Sequence, residues 1–351
     1  MCPPDPEPQQ AASPTVIGEV EDGWVTSRPP RVVEAFLRVF RFPWVLVRHR
    51  DLITSSVKRE LAMRFQGTLL GFLWPLVHPL FIFAVYYFIF TKLLSFKMPD
   101  LPAGQEAAMG IYMFVGVVVW SAFGESLGRG CGVIVDNGNL IKKLAFPTEV
   151  LPLNLVLSNI VTMLFGIGMF LLATTFTPVW PAAGIKLLWI PVLLVLQILF
   201  TYGLTMFLAT LQVFLRDTAQ VISIVVTVWM FLTPLFWVPE VIPAIGPYQA
   251  MIEVNPMHDL VYAWREVLMD VEGVLSKVQG FINTEVIGPH NERIATAIAA
   301  GEVPAEAPYQ PLAFQNSLMG AMGRFAWWSV GTFIAGYAFF IVAQRRFADE
   351  V

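Results

Sequence analysis

NLIKKLAFPTEVLP, at 139–152, is a polar and doubly basic elbow set between two stretches apolar enough to span a bilayer. An elbow of this kind, presented to the cytosol by a membrane protein, is a place for another protein to hold.

The rest of the composition agrees with a membrane setting. Hydrophobic residues make up 56% of the chain, charged residues 14%, and the mean hydropathy is +0.64, which together exclude an ordinary soluble domain. A helix crossing the hydrocarbon core needs about 20 apolar residues. Six windows qualify, at 69–91, 109–123, 151–175, 187–207, 218–238 and 325–342. An even number puts both ends of the chain on one side, and the distribution of Lys and Arg selects the side. With the N-terminus in the cytosol, 15 of the 22 basic residues lie inside, and only Lys92, Lys97, Lys186, Arg265, Lys277, Arg293 and Arg324 lie outside. The fold expected is all-α: a polytopic membrane protein with six transmembrane helices over 68–343, and both termini cytoplasmic.

Residues 1–30 are rich in Pro, Gln and acidic side chains and have no apolar core, so they read as a disordered cytosolic tail and not as a signal peptide. Residues 344–351 form a short cytosolic tail at the other end. Cys2 and Cys131 both fall on the reducing side, and no disulfide is expected. Between the first tail and the first window, Val32, Phe36, Val39 and Phe40 recur at helical spacing among Arg31, Arg38 and Arg41, and the pattern resumes after Pro43. Residues 31–67 therefore read as amphipathic interfacial helices. The alternative is a basic juxtamembrane segment attracted to anionic lipid. Arg59 and Arg64, followed by the abrupt apolar entry at 65–75, put cations beside a membrane entrance.

Several functional classes drop out. The windows at 151–175, 187–207 and 218–238 contain no Asp, Glu, Lys, Arg or His, and of these the first contains only His78 away from its ends. Carriers driven by protons or ions keep ionisable groups at depth, so those energy sources are not expected. No phosphate-binding loop of the G-x-x-x-x-G-K-[ST] type is present, so any nucleotide must be held by another polypeptide. No HEXXH, paired-cysteine or G-x-S-x-G motif occurs, and His49, His78, His258 and His290 are scattered across compartments. No catalytic, metal or cofactor site is expected in this chain. The net charge of −4 gives no indication of a nucleic-acid partner.

Two features remain inside the membrane part. Phe83, Tyr86, Tyr87 and Phe90 sit at i, i+3, i+4 and i+7 and share one helix face, with Trp74 and His78 as an i, i+4 pair below them. Such a stripe is either a lipid-facing or core surface, or a platform on which the apolar faces of sugar rings stack. Further on, Pro234, Pro239, Pro243, Pro247 and Pro256 forbid one continuous helix. Irregular backbone at membrane depth survives where protein buries it or where it lines an aqueous cavity. Residues 231–265 thus read as short re-entrant helices forming a gate at the outer mouth, or as a loop resting on the surface.

Six motifs now stand in order: RHRDL at 48–52, RFQGTLLGFLWPLVHP at 64–79, the elbow, FLRD at 214–217, TPLFW at 233–237, and Asn255-Pro256 followed by Arg265. Together they resemble the permease subunit of ABC exporters for cell-surface polysaccharides, the group serving O-antigen, capsule and teichoic acid, along nearly the whole membrane part. The resemblance implies a homodimer in the bacterial inner membrane. It implies an ABC ATPase dimer beneath it that holds ATP and Mg, and a polymer carried on an undecaprenyl pyrophosphate lipid. It assigns coupling to the ATPase to Asp136, Asn137, Asn139, Leu140, Ile141, Lys142, Lys143 and Phe146. The lipid pyrophosphate falls to Arg48, Arg50, Arg59 and Arg64. The polymer channel falls to Trp74, Tyr86, Tyr87, Phe231 and Trp237, and the external gate to Pro234, Pro239, Asn255, Pro256 and Arg265. The nearest alternative is a permease of the same superfamily for a small molecule or lipid. The N-terminal extension and the external insertion at 270–324, with Pro304, Pro308 and Pro311, exceed what the family needs. A substrate-reading cap, an attachment point for external partners and a passive decoration are all open for the insertion.

Overall fold

The computed structural model describes residues 39, 42–67, 71, 74, 77, 80, 81, 84, 85, 87–93, 108–143, 147–176, 184–300, 303, 304, 306–314 and 317–350. The tail at 1–30, residues 31–38, 40 and 41 of the amphipathic segment, about half of the first window with His78, Phe83 and Tyr86, and Phe146 lie outside the described residues. Among the described residues every regular element is a helix. Two short helices come first, α1 (Phe42–Arg48) and α2 (Arg50–Phe65), with a π-helical stretch at Tyr87–Leu93. The bundle follows: α3 (Ala108–Asp136), α4 (Gly138–Lys143), α5 (Val150–Phe176), a 3-10 turn at Gly184–Trp189 leading into α6 (Ile190–Phe214), and α7 (Thr218–Leu232). After two further 3-10 turns, Pro239–Val241 and Pro243–Tyr248, come α8 (Gln249–Val254), α9 (Pro256–Met269), α10 (Glu272–Phe281), a π-turn at Ile282–Ile287, α11 (Gly288–Ala299), α12 (Leu318–Ala343) and α13 (Phe347–Glu350).

Four of these are long and apolar enough to cross a membrane: Met109–Asp136, Val150–Thr175, Gly184–Phe214 and Leu318–Ala343. The chain is therefore a multi-pass helical membrane protein. Two of the six windows come out differently from their apolar limits. The second was read as ending at Phe123, yet α3 continues to Asp136, because its polar residues Glu125 and Arg129 are met by side chains of α2. The fifth was read through Val238, yet α7 stops after 15 residues, about 22 Å of helix. Thr233 there is extended (φ −88°, ψ 135°), as the residue before a proline prefers.

The main core surrounds α3, which packs against α5, α6, α7 and α9. α6 and α12 approach closely enough that a Cβ on Gly336 would lie 1.9 Å from the Gly203 carbonyl oxygen, so only a glycine fits. The N-terminal helices dock on this bundle. Phe42 of α1 is buried among Tyr202, Phe333 and Tyr337, with ring centroids 5.3, 5.0 and 5.7 Å away. α2 packs along α5, and its inner face mixes apolar and polar side chains, with Ile53 and Ser56 buried and Glu60 and Arg64 half-buried. A second, separate core joins Ile252 to Val278, Ile282, Ile287, Leu312 and Phe314.

Candidate functional site

At the elbow end of the bundle, α2 is fastened by charge. The Arg64 guanidinium lies 2.8 Å from the Glu125 carboxylate and donates to the Asn159 side-chain oxygen at 2.8 Å, while Asn159 donates to Ser126 Oγ at 2.9 Å. Arg129, one turn beyond Glu125, pairs with Glu60 and stands 3.6 Å from Glu125. Exposed ion pairs contribute little singly, but here Arg64 reaches a buried amide, so the ladder fixes α2 to α3 and α5 in one register.

Beside the ladder is a cavity of about 390 Å³ whose lining includes Ser56, Arg59, Arg129, Asp136, Asn137 and Asn154. The Asn154 side-chain oxygen is buried here with no hydrogen-bond partner among the described residues. The four arginines read as head-group ligands do not converge on this space. Arg59 lines it; Arg64 is held by Glu125 and Asn159; Arg48 stacks over the Trp44 ring at 5.0 Å; and Arg50 is exposed, 3.8 Å from Asp51. Arg129 does line the cavity, and the sequence reading missed it.

The elbow itself begins at Asn137, whose side chain donates to Val133 O at 2.8 Å and whose carbonyl accepts from Leu140 and Ile141. Those two residues are half-buried and pack inward on the main core, and α4 rests against α13. Asp136, Asn139 and Lys142 are the exposed members. Lys143 closes α4.

At the opposite end, the proline-rich residues form one constellation. Arg265, fully buried on α9, donates from Nε to Tyr112 O at 3.0 Å, from Nη1 to Pro234 O at 2.7 Å and from Nη2 to Leu235 O at 3.0 Å. A Cβ on Gly116 would fall 2.5 Å from Nη2, so the small residue on α3 leaves the room the guanidinium occupies. Asn255 caps α9: its Oδ1 accepts from Met257 N–H at 3.0 Å and from Trp229 Nε1 at 2.9 Å, and its Nδ2 donates to Thr233 Oγ1 at 3.0 Å. Pro256 takes the first helical position, where its missing N–H costs nothing. Pro239 opens a 3-10 turn and is buried with Pro234. Thr233, which opens the TPLFW motif, completes the constellation with Trp229 and Tyr112, which carry no signal in the sequence beyond their residue type.

Phe231 and Trp237 share a second cavity, about 560 Å³, with Trp229, Tyr248, Met251 and Trp328. Trp237 Nε1 donates to the Phe231 carbonyl at 3.2 Å. Trp74 is exposed, and Tyr87 is half-buried where the π-helical stretch meets α3 at Gly110. Asp259 and Glu266 are among the buried carboxylates that the sequence alone does not announce. Asp259 is gripped by Arg324 through Nε at 3.1 Å and Nη2 at 2.7 Å. Glu266 is paired with Lys186, which also pairs with Asp270, and accepts from Glu272 N–H at 2.6 Å. Burial pushes the Glu266 carboxyl above the ordinary carboxylate range, with Lys186 and the Glu272 N–H acting the other way.

A multi-pass helical bundle with a docked N-terminal helix, a polar elbow at one end and a proline-broken segment at the other is the architecture on which the family match falls. The chain belongs to the ABC-2 type transporter family, whose model matches residues 51–269, from α2 through α9. It is similar to the O-antigen export system permease protein RfbA of Myxococcus xanthus, at 31% identity over 225 residues, 64% of this chain and 83% of that protein. It is also similar to a protein of the same name from Klebsiella pneumoniae, at 27% identity over 254 residues, 67% of this chain and 89% of that protein.

Proposed function

We propose that this chain is the permease subunit of an ATP-driven exporter that moves a lipid-linked cell-surface polysaccharide of the O-antigen type across the bacterial inner membrane. The observation that carries the reading is that the family match runs from the entrance helix to the gate helix, together with the names of the relatives. The work is supplied by a separate ABC ATPase dimer holding ATP and Mg²⁺ at the elbow, with both termini on the same, cytoplasmic side.

In this account Arg59 and Arg129 offer charge-assisted hydrogen bonds to the pyrophosphate in the cavity beside α2. Arg64 holds α2 in place, and Arg48 and Arg50 lie outside the lining of the cavity. Asp136, Asn139 and Lys142 meet the ATPase, while Leu140 and Ile141 seat the elbow. Two copies of the chain enclose the polymer path, with Trp74, Tyr86, Tyr87, Phe231 and Trp237 along it. The apolar outward face of α7, with Ile224, Val228 and Phe231 exposed, supports that assembly. Pro234, Pro239, Asn255, Pro256 and Arg265 close the far end.

Deleting the gene in its host tests the reading. Loss of surface polysaccharide with build-up of lipid-linked polymer inside the cell is the expected result, and a normal surface glycan contradicts it.

A further inference from the structure

The insertion at 270–324 is tied down in a specific way. α10, the π-turn and α11 make one arm, and the chain at 306–314 returns across it without helix of its own. Such a segment must find partners for its backbone groups elsewhere. Asn283 supplies both for Leu312, accepting its N–H at 2.9 Å and donating to its carbonyl at 2.8 Å. Asn291 does the same for Tyr309, accepting the N–H and donating to the carbonyl, each at 2.9 Å. Gln279 adds a second donor to Leu312 O at 3.1 Å. Two asparagines thus hold the strap as a neighbouring β-strand would.

The strap's other edge lies on the gate. Ala313 N–H donates to Gln249 Oε1 at 3.1 Å, and a Cβ on Gly246 would stand 2.9 Å from both Cβ and O of Gln310. Between them, Ile252 of α8 shares the second core with Val278 and Ile282 of the arm and Leu312 and Phe314 of the strap, and Trp237 and Ile245 pack against it. The arm joins the bundle at Asp270, whose left-handed backbone (φ 52°) ends α9, and there Lys186 pairs with both Asp270 and Glu266.

We infer that the insertion is a clamp for the outer gate: the strap, seated by Asn283 and Asn291, makes the arm and the gate segments at 239–254 one body, so that these segments leave their closed position only with the arm. Asn283 and Asn291 are positioning residues that act through the strap. The inference rests on the gate reading above, and it makes the insertion more than an ornament.

The test uses the full chain, with Cys2 and Cys131 replaced by Ser and the reporter I252C placed in the shared core. Cells are treated with a membrane-impermeant maleimide, and surface polysaccharide is measured in parallel. The pair N283A/N291A removes both clasps, and G246A, acting from the gate side, wedges the strap away while leaving every clasp atom in place. In each variant the labelling rate rises at least about tenfold, the size of a single net hydrogen bond's contribution to an opening equilibrium, and export falls. N283D/N291D keeps the acceptors for the two N–H groups and recovers part of both. If N283A/N291A fails to accumulate, G246A decides. Labelling at the parental rate, or faster labelling with undiminished export, overturns the inference. The labelling arm needs no cargo, so a parent that exports no polysaccharide but shows the predicted labelling change refutes the export reading alone.

Discussion

Arg265 and Tyr112 are joined twice: the guanidinium carbon lies 3.5 Å from the centroid of the Tyr112 ring, and Nε donates to the Tyr112 carbonyl at 3.0 Å. The same guanidinium holds the carbonyls of Pro234 and Leu235, so the bend that ends α7 is anchored to α3. α3 runs unbroken from Tyr112 to Asp136, about 36 Å along its axis. The helix that carries Glu125 and Arg129 beside α2, and Asp136 at the elbow, therefore also carries the anchor of the proline-rich segment. A displacement of the elbow has a rigid path to the far end.

Replacing Arg265 by Lys keeps the charge and loses the planar fork, which three separate carbonyls and an aromatic face require. R265K is expected to lose about 2 kcal/mol or more, because buried acceptors are left unpaired. A lowered thermal midpoint of the detergent-solubilised protein reports the loss; an unchanged midpoint refutes the anchoring role.

G116A should reproduce this defect without removing any polar group, since its Cβ would claim space now held by Nη2. The double variant R265K/G116A should be less destabilised than the sum of the singles, because both act on one interaction. Strict additivity counts against a shared cause.

At the entrance, Arg59 and Arg64 are expected to separate. R64A should lower stability, and a double-mutant cycle with E125A should give a coupling of about 1 kcal/mol, at the upper end for a partly exposed pair. R59Q should leave the thermal midpoint alone and reduce export. Equal effects of the two on stability contradict the division of labour.

The elbow gives the opposite contrast. L140D/I141D should reduce folded yield, since both side chains pack inward. N139D/K142E should leave the permease folded and lower the amount of ATPase that purifies with it. An unchanged complex in the second variant removes the elbow from the coupling surface.

How far the sequence carries can be seen residue by residue. The windows that became α5, α6 and α12 were legible from apolar length alone, and the prolines at 234, 239 and 256 marked where regular helix breaks after α7, because proline acts on its own backbone. What stayed hidden depends on partners far along the chain. Arg64 and Glu125 are 61 residues apart, and Arg324 and Asp259 are 65 apart, so no local pattern announces that they neutralise one another. For the same reason Arg64 read as a free cation beside the entrance. Leu140 and Ile141 were assigned to the coupling surface by resemblance alone, and a six-residue helix is too short for its periodicity to show that both pack inward. The clamp was hidden further still, since Asn283 and Asn291 act on backbone groups, and any residue could supply those.

The central claim is that this chain offers the path and the ATPase supplies the work. Reconstitution in vesicles loaded on one side with lipid-linked polysaccharide tests it directly, comparing the permease alone with the permease and its ATPase. The account predicts ATP-dependent movement of polymer only when both are present. Vectorial movement by the purified permease alone would contradict it.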